Sequence, residues 1–200
     1  MMSTLVRVMA AVVMLTALAA QAQQTAPDAL VRSTVDEVLA VIKQTKDPKA
    51  LVELAEKKVV SNFDFKEMTR LAVGRQWSQA SAAQQQALER GFRTLLVRTY
   101  TTALSQSSGE TKVEVKPVTL KAGGTETMVR TIVTEPGRKP FAIDYRMWST
   151  PAGWKVYDVV VENLSLVTNY RSSFQSEIGR SGVDGLIKTI EDKNRKSSTG

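Results

Sequence analysis

The sequence predicts an α+β fold, with helices packed on one face of a four-stranded antiparallel sheet. Apolar residues recur at helical spacing between residues 28 and 106 and again between 165 and 192, and with a period of two between 112 and 162. Short turns that contain Gly or Pro separate the period-two runs, which favours a meander of neighbouring strands. Segregated runs of helices and strands are typical of α+β domains.

The N-terminus has the features of a secretory signal peptide. Arg7 is the only charged residue before position 28, and an apolar run at 8–20 leads to the small residues of Ala20-Gln21-Ala22. The run is shorter than the roughly 20 residues that span a bilayer; the alternative is an ordinary buried helix. We predict a signal peptide at 1–22, a single domain at 23–194 and a disordered tail at 195–200.

The first two helices follow from proline start signals. Pro27 precedes a run from 28 to 44 in which apolar residues recur at helical spacing. Asp47-Pro48 then combines a capping carboxylate with a residue that needs no N–H donor in the first turn. A second helix is therefore predicted from 48 until Asn62-Phe63-Asp64-Phe65 interrupts it.

The next two helices follow from capping-box spacings. Asp64 with Glu67 begins a short helix that ends at Gly74. Ser81 with Gln84 begins the longest helix, which extends to about 106. Its apolar stripe comprises Leu88, Phe92, Leu95, Leu96, Thr99, Ala103 and Leu104.

Four strands and two helices complete the predicted chain. The strands are expected at 112–120, 125–134, 139–149 and 153–162, and the last is apolar on both faces. The closing helices are expected at 165–178 and 183–192. The helix after residue 165 must fold back onto the sheet or onto something that the sheet holds.

The composition excludes several classes of active site. The chain has no cysteine and no histidine, so thiol chemistry, serine–histidine triads and zinc sites built on those ligands are excluded. The net charge of +7 is compatible with an anionic membrane surface or an acidic partner, whereas export makes a nucleic acid an unsuitable partner.

Three carboxylates leave one catalytic alternative open. Asp144, Asp158 and Glu162 lie on adjacent predicted strands, and a buried member could act as a base. A strand aspartate more often pairs with an arginine, and Arg146 and Arg171 are available for that. The abundant apolar surface leaves a second question open, because a solid core and a ligand cavity need the same residue types.

Five segments taken together resemble the MlaC family of periplasmic phospholipid carriers, also described as toluene-tolerance proteins. The resemblance covers nearly the whole mature chain and rests on the order and spacing of these segments. They are FDFKEMTRLAVGRQW at 63–77, FRTLLVRTY at 92–100, WKVYDV at 154–159, SLVTNYR at 165–171 and GVDGLI at 182–187.

The resemblance implies a curved sheet in a cone similar to NTF2-like folds, and a carrier without catalytic activity or cofactor. Members of the family hold a phospholipid by its acyl tails and leave the headgroup outside. They move lipid across the periplasm between an outer-membrane lipoprotein–porin complex and an inner-membrane ABC transporter with a membrane-tethered hexameric component. We therefore expect a phospholipid as cargo, those two complexes as partners, and a periplasmic location.

Residues that line the tail cavity are chosen by face and position. We expect the cavity between the sheet and the helices, with Arg98 or Arg171 close to the lipid phosphate at its mouth. The expected lining is Leu95, Thr99 and Ala103 from the long helix, Val129, Ile143, Tyr145 and Val160 from the sheet, and Leu166, Val167 and Tyr170 from the helix that follows. Two alternatives stay open: a small enzyme of the same architecture that uses Asp144 or Asp158 as a base, and an adaptor with a solid core.

Overall fold

The computed structural model describes residues 25–107 and 109–196. The predicted signal peptide therefore lies outside the described residues. The elements, in chain order, are α1 (Pro27–Gln44), α2 (Pro48–Leu54), α3 (Phe65–Val73), α4 (Ala82–Ser105), β1 (Lys112–Val115), β2 (Glu126–Thr134), β3 (Phe141–Thr150), β4 (Gly153–Val161), β5 (Leu164–Ser165) and α5 (Leu166–Lys196).

The predicted capping residues begin the helices. The Asp47 carboxylate accepts hydrogen bonds from the N–H groups of Lys49 and Ala50 at the start of α2. Ser81 and Gln84 form a complete capping box at the start of α4, each side chain accepting from the other residue's N–H. These bonds satisfy donors that a helix leaves unpaired at its first turn.

The segment between α2 and α3 departs from α-helical geometry before the predicted interruption. A π-helical turn covers Ala55–Val59, and a 3₁₀ turn covers Val60–Asn62. The chain then becomes extended at Phe63, which pairs in parallel with Val156 of β4. The Asp64 N–H donates to the Val156 carbonyl at 2.8 Å. This contact ties the start of α3 to the sheet.

The strands form one antiparallel sheet in the order β1-β2-β3-β4-β5. The α+β class and the antiparallel meander are therefore confirmed, with five strands instead of four. The predicted first strand is too long, because β1 ends at Val115. Pro117 lacks an N–H and cannot continue the ladder beyond the bond from Lys116 to Arg130.

The additional strand arises from a tight turn after β4. Glu162 and Asn163 both have positive φ, at 49° and 66°, which is typical of a two-residue hairpin turn. The turn pairs Val161 with Leu164 and leads directly into α5. Asparagine tolerates this conformation better than most residues.

Helix α5 contains the break that was predicted between two closing helices. Gly182 has φ 71°, outside helical geometry, so the helix changes direction there. The second half runs alongside α4: Gln84 donates to Asp184 and Asn194 donates to the Gly91 carbonyl. The helix includes Arg195 and Lys196, so it extends into the predicted tail, whose remaining residues lie outside the described part of the chain.

The core consists of two clusters of buried apolar side chains. The helix cluster joins α3, α4 and α5 and contains Phe65, Met68, Ala72, Val73, Trp77, Leu88, Phe92, Leu95, Leu96, Val167, Phe174, Leu186 and Ile190. The sheet cluster joins α1 to one face of the sheet and contains Val31, Val115, Val129, Met147, Trp154 and Val156. The two clusters have no buried member in common.

Candidate functional site

The boundary between the helix cluster and the sheet cluster is the candidate site. Helix α4 makes its main contacts with α2, α3 and α5, whereas the sheet makes its main contacts with α1, α3 and α5. Both clusters carry half-buried apolar side chains at their margins. We call these half-buried margins, namely Val97, Tyr100 and Tyr170 of the helix cluster with Tyr145 and Val159 of the sheet cluster, the interior boundary.

Tyr145 is the polar group of the interior boundary on the sheet side. It lies on the central strand β3, in register between Val129 on β2 and Val159 on β4. Tyr145 is half-buried, and residues of α1 pack on the same face of the sheet. No residue in 25–107 or 109–196 hydrogen-bonds to its hydroxyl.

Burial disfavours ionisation of the Tyr145 hydroxyl. Desolvation, followed by the charge of Asp144, raises the pKa of Tyr145 from 10.0 to about 12. A neutral phenol is a hydrogen-bond donor as well as an acceptor. The group can therefore donate to a carbonyl of a ligand that enters the boundary.

Two more tyrosines lie on the helix side of the interior boundary. Desolvation raises the pKa of Tyr100 to about 12, and the neighbouring Tyr170 adds to the shift. The Tyr170 ring packs edge-on against Phe92 at 4.9 Å between centroids. Desolvation also raises the pKa of Tyr170, and a hydrogen bond from Thr99 acts in the opposite direction. Predicted residue Tyr170 thus belongs to the aromatic core and also borders the boundary.

The remaining predicted lining residues divide by burial. Leu95, Val167 and Val129 are fully enclosed by their clusters, at 6%, 6% and 0% exposure. Leu166 and Ile143 are half-buried, and Ile143 shares a sheet face with Tyr145. The structure thus places Tyr145 and Tyr170 at the margins of the clusters, whereas Leu95, Val167 and Val129 are buried within them.

Three predicted lining residues lie elsewhere. Val160 pairs with Asp144, so its side chain points away from the face that carries Tyr145 and Val159. Thr99 and Ala103 are exposed on α4. Thr99 still reaches the Tyr170 hydroxyl.

The two predicted headgroup arginines contact different elements. Arg98 Nη1 donates to the Asn194 carbonyl at 2.6 Å, near the end of α5. Arg171 is exposed, and its guanidinium lies over Gly74, where a β-carbon added to the glycine would be 3.4 Å from Arg171 Nη2. Arg171 therefore keeps more of its surface available to a ligand than Arg98 does.

Comparison with known proteins identifies the family. The model of the MlaC protein family matches residues 32–192. The chain belongs to the MlaC family. Its fold is similar to that of a Ralstonia solanacearum protein, described as a phospholipid-binding protein in complex with a phospholipid, with a TM-score of 0.80 and 37% sequence identity. The match covers 88% of this chain and 100% of the Ralstonia chain.

In this MlaC-family protein, Asp158 has a structural role. Its carboxylate, 3% exposed, accepts from the Ser165 hydroxyl at 2.7 Å and from the Val167 N–H at 3.1 Å. Arg146 lies 3.9 Å from the same carboxylate. The Ser165 hydroxyl in turn accepts from the Thr168 N–H. Asp158 therefore holds β4 to the first turn of α5, and its oxygens are occupied by these partners.

The other carboxylate considered as a base, Asp144, also lies away from the interior boundary. It pairs in register with Arg130 and points to the opposite sheet face from Tyr145. The described residues contain no group of three or more side chains suited to hold a metal ion. They also contain no helix long and apolar enough to cross a membrane. Family and geometry together indicate a binding or transport protein.

Sequence reasoning did not select four residues that border the interior boundary or join its walls: Phe63, Val97, Tyr100 and Val159. Val97 and Tyr100 lie beside the predicted apolar stripe of α4 and are not members of it. Val159 lies in a run of three valines, and such a run does not indicate which residues share a sheet face. Phe63 precedes a helix, and the sequence pattern around it does not indicate a contact with distant parts of the chain.

Proposed function

We propose that this MlaC-family protein carries a phospholipid, with its acyl tails between the helix cluster and the sheet cluster and its headgroup outside. The observation that supports this most directly is the 37% identity to a phospholipid-bound protein over the full length of that protein. The half-buried side chains of Val97, Tyr100, Tyr145, Val159 and Tyr170 combine aliphatic and aromatic surface with three phenol hydroxyls. Ligand pockets for apolar molecules generally have this composition.

Moving a phospholipid through water requires enclosure of its tails. Each methylene removed from water contributes about 0.8 kcal/mol, so about thirty methylenes need on the order of 20 kcal/mol of shelter. A shallow surface site cannot supply this. Two core clusters that meet along an interior boundary offer walls on both sides of the tails.

Headgroup contacts are expected to be few. Arg171, which is exposed beside Gly74, is proposed as a neighbour of the lipid phosphate. Arg98 is proposed as a second neighbour, although its guanidinium also donates to the Asn194 carbonyl. An arginine can pair with a phosphate in a bidentate manner. Selectivity between headgroups should be low because the rest of the headgroup stays in water.

The proposed location is the periplasm, and the proposed partners are the outer-membrane lipoprotein–porin complex and the inner-membrane ABC transporter with its hexameric component. A carrier of this kind must release and accept lipid at both membranes without a covalent step. The predicted signal peptide at 1–22 supports export. The net charge of +7, which includes Arg7, favours contact with anionic membranes or acidic partners.

Native mass spectrometry of the purified protein tests the proposal. We expect a co-purified diacyl phospholipid in stoichiometric amount, and its identity should follow the lipids of the producing cell. Delipidated protein should also extract phospholipid from vesicles and deliver it to acceptor vesicles. Protein that is empty as purified and extracts nothing would favour the adaptor with a solid core.

A further inference from the structure

Leu164 has the most exposed large apolar side chain of the described residues, at 73%. The next are Leu120 at 39% and Met128 at 37%. Leu164 directly follows the turn at Glu162 and Asn163, both of which have positive φ. The leucine therefore lies beside the tip of the β4–β5 turn and keeps most of its apolar surface outside the core.

Strand register places Leu164 at the end of an apolar row. Leu164 pairs with Val161, and Val161 pairs with Ile143. Residues directly opposite each other in antiparallel strands have side chains on the same face, and both Val161 and Ile143 are half-buried. On that face Ile143 alternates with Tyr145, and Val161 alternates with Val159. The sheet face that carries part of the interior boundary thus continues to the protein surface at Leu164.

Exposed cations lie at the same end of the sheet, on the β2–β3 turn. This turn precedes Ala142, whose carbonyl accepts from the Glu162 N–H at 3.1 Å. Arg138 and Lys139 of the turn are exposed, and 69% of the Arg138 side chain remains accessible although it donates to Glu135 at 2.9 Å. The Glu162 carboxylate accepts from the Ala142 N–H at 2.7 Å. This end of the sheet thus combines an exposed leucine with accessible positive charge.

The small extent of the apolar surface favours a bilayer over a protein as the occupant. A stable protein–protein interface buries about 800 Å² on each side. The end of this sheet presents one exposed leucine on a tight turn, with only half-buried side chains behind it. Insertion at a membrane surface needs few apolar side chains, provided that cations lie at the level of anionic headgroups.

We propose that the β4–β5 turn docks the protein on an anionic bilayer, with Leu164 inserted among the acyl chains. The inference rests on the proposed function, since it assigns the membrane contact at which the carrier takes up and releases its lipid. An acyl tail that leaves the bilayer beside Leu164 meets Val161 and Ile143 first and Tyr145 next, so it stays against the same sheet face.

A fluorophore at Leu164 tests the docking. The chain contains no cysteine, so Leu164→Cys provides a single labelling site. The variant is labelled with an environment-sensitive nitrobenzoxadiazole group and mixed with vesicles of equimolar phosphatidylcholine and phosphatidylglycerol. We expect a blue-shifted emission that lipids with doxyl groups on their acyl chains quench.

Leu120→Cys is the matched control, because Leu120 is the second most exposed of these leucines and lies in the β1–β2 connection, at the opposite end of the sheet. Its fluorophore should keep its aqueous emission when vesicles are added. Equal emission from the two labelled positions would overturn docking through the β4–β5 turn.

Leu164→Ser separates docking from lipid binding. The variant should associate with the vesicles about tenfold more weakly, since burial of one leucine side chain is worth about that factor, and should extract lipid more slowly. Binding of dihexanoyl-phosphatidylcholine from monomeric solution, which needs no bilayer, should be unchanged.

Two results of the serine variant would overturn the docking role. Vesicle association equal to that of the wild type would indicate that Leu164 serves a protein partner instead. Loss of binding to the monomeric lipid would assign Leu164 to the tail site itself. Wild-type protein that contains no phospholipid and binds none from solution would refute the proposed function, and the fluorophore measurement distinguishes that result from a failure to dock.

Discussion

Two valines that flank Tyr145 allow a direct test of whether the interior boundary is a cavity or solid core. Val129 and Val159 pair with Tyr145 from opposite sides and share its sheet face. Val129 is 0% exposed, whereas Val159 is half-buried at the margin of the sheet cluster. The same substitution, Val→Trp, should therefore have different consequences at the two positions.

The expected magnitudes follow from the packing. At Val129 the indole has no space, and overpacking should lower the free energy of unfolding by about 1–3 kcal/mol or more. At Val159 the ring should enter the space proposed for the tails, at a cost of less than about 1 kcal/mol in stability. If it displaces about four methylenes at about 0.8 kcal/mol each, lipid affinity falls by about 3 kcal/mol, roughly a hundredfold.

The assay combines urea unfolding with mass spectrometry of the bound lipid. Val159→Trp should unfold near the wild-type midpoint, after delipidation of both, and should purify with little lipid. Val129→Trp should unfold earlier. The cavity interpretation is refuted if Val159→Trp is destabilised as much as Val129→Trp and retains its lipid.

Three further predictions concern stability. Asp158→Ala should lower the free energy of unfolding by about 1–3 kcal/mol in urea titrations, because it leaves the Val167 N–H unpaired, whereas Asp144→Ala should have little effect. The pKa of Tyr145 is higher in the folded protein, so the free energy of unfolding should fall by about 2–3 kcal/mol in total as pH rises from 10.0 through about 12. Tyr145→Phe should remove this part of the pH dependence. Gly91→Ala should destabilise the protein in thermal melts, since the new β-carbon would lie 2.9 Å from Ile190 Cγ2. Gly179→Ala, whose new β-carbon meets open space, should stabilise it by up to about 1 kcal/mol in the same melts. Equal effects of the two glycine substitutions would contradict the close packing of α4 and α5.

Local chemistry made the helix starts predictable. The Ser81–Gln84 capping box is complete, because both bonds form within one turn and need no distant partner. The Asp64–Glu67 spacing is confirmed only for the bond from the Glu67 N–H to Asp64, since the Glu67 carboxylate pairs with Arg70 instead. A nearby arginine can thus bind the carboxylate that the spacing alone would assign to the capping box.

The strand faces were less predictable, because register depends on the partner strand. The pairing of β3 with β4 shifts between Arg146 and Met147, where Tyr157 is the extra residue of a bulge. A bulge inverts the faces of all residues beyond it, and that run is Val159-Val160-Val161, which gives no pattern to reveal the change. The site prediction therefore named Val160, which lies on the opposite sheet face from Tyr145, and not Val159, which shares that face.

The residues that join distant parts of the chain were the hardest to predict. Tyr145 was chosen by its face and position on a predicted strand, and that signal is local. Phe63 packs against two clusters whose members are spread over 65–190 and 31–156 of the sequence, and only the folded chain brings them together. A single sequence contains no local signal for such a contact.

The change of direction at Gly182 has a consequence for how the protein is made. Leu186 and Ile190, at 1% and 2% exposure, belong to the helix cluster but follow the break. Until this segment has been synthesised, α4 keeps an uncovered apolar flank at Gly91. Folding of the helices is therefore completed by the last part of the chain, which favours a nascent polypeptide that stays loosely structured during synthesis.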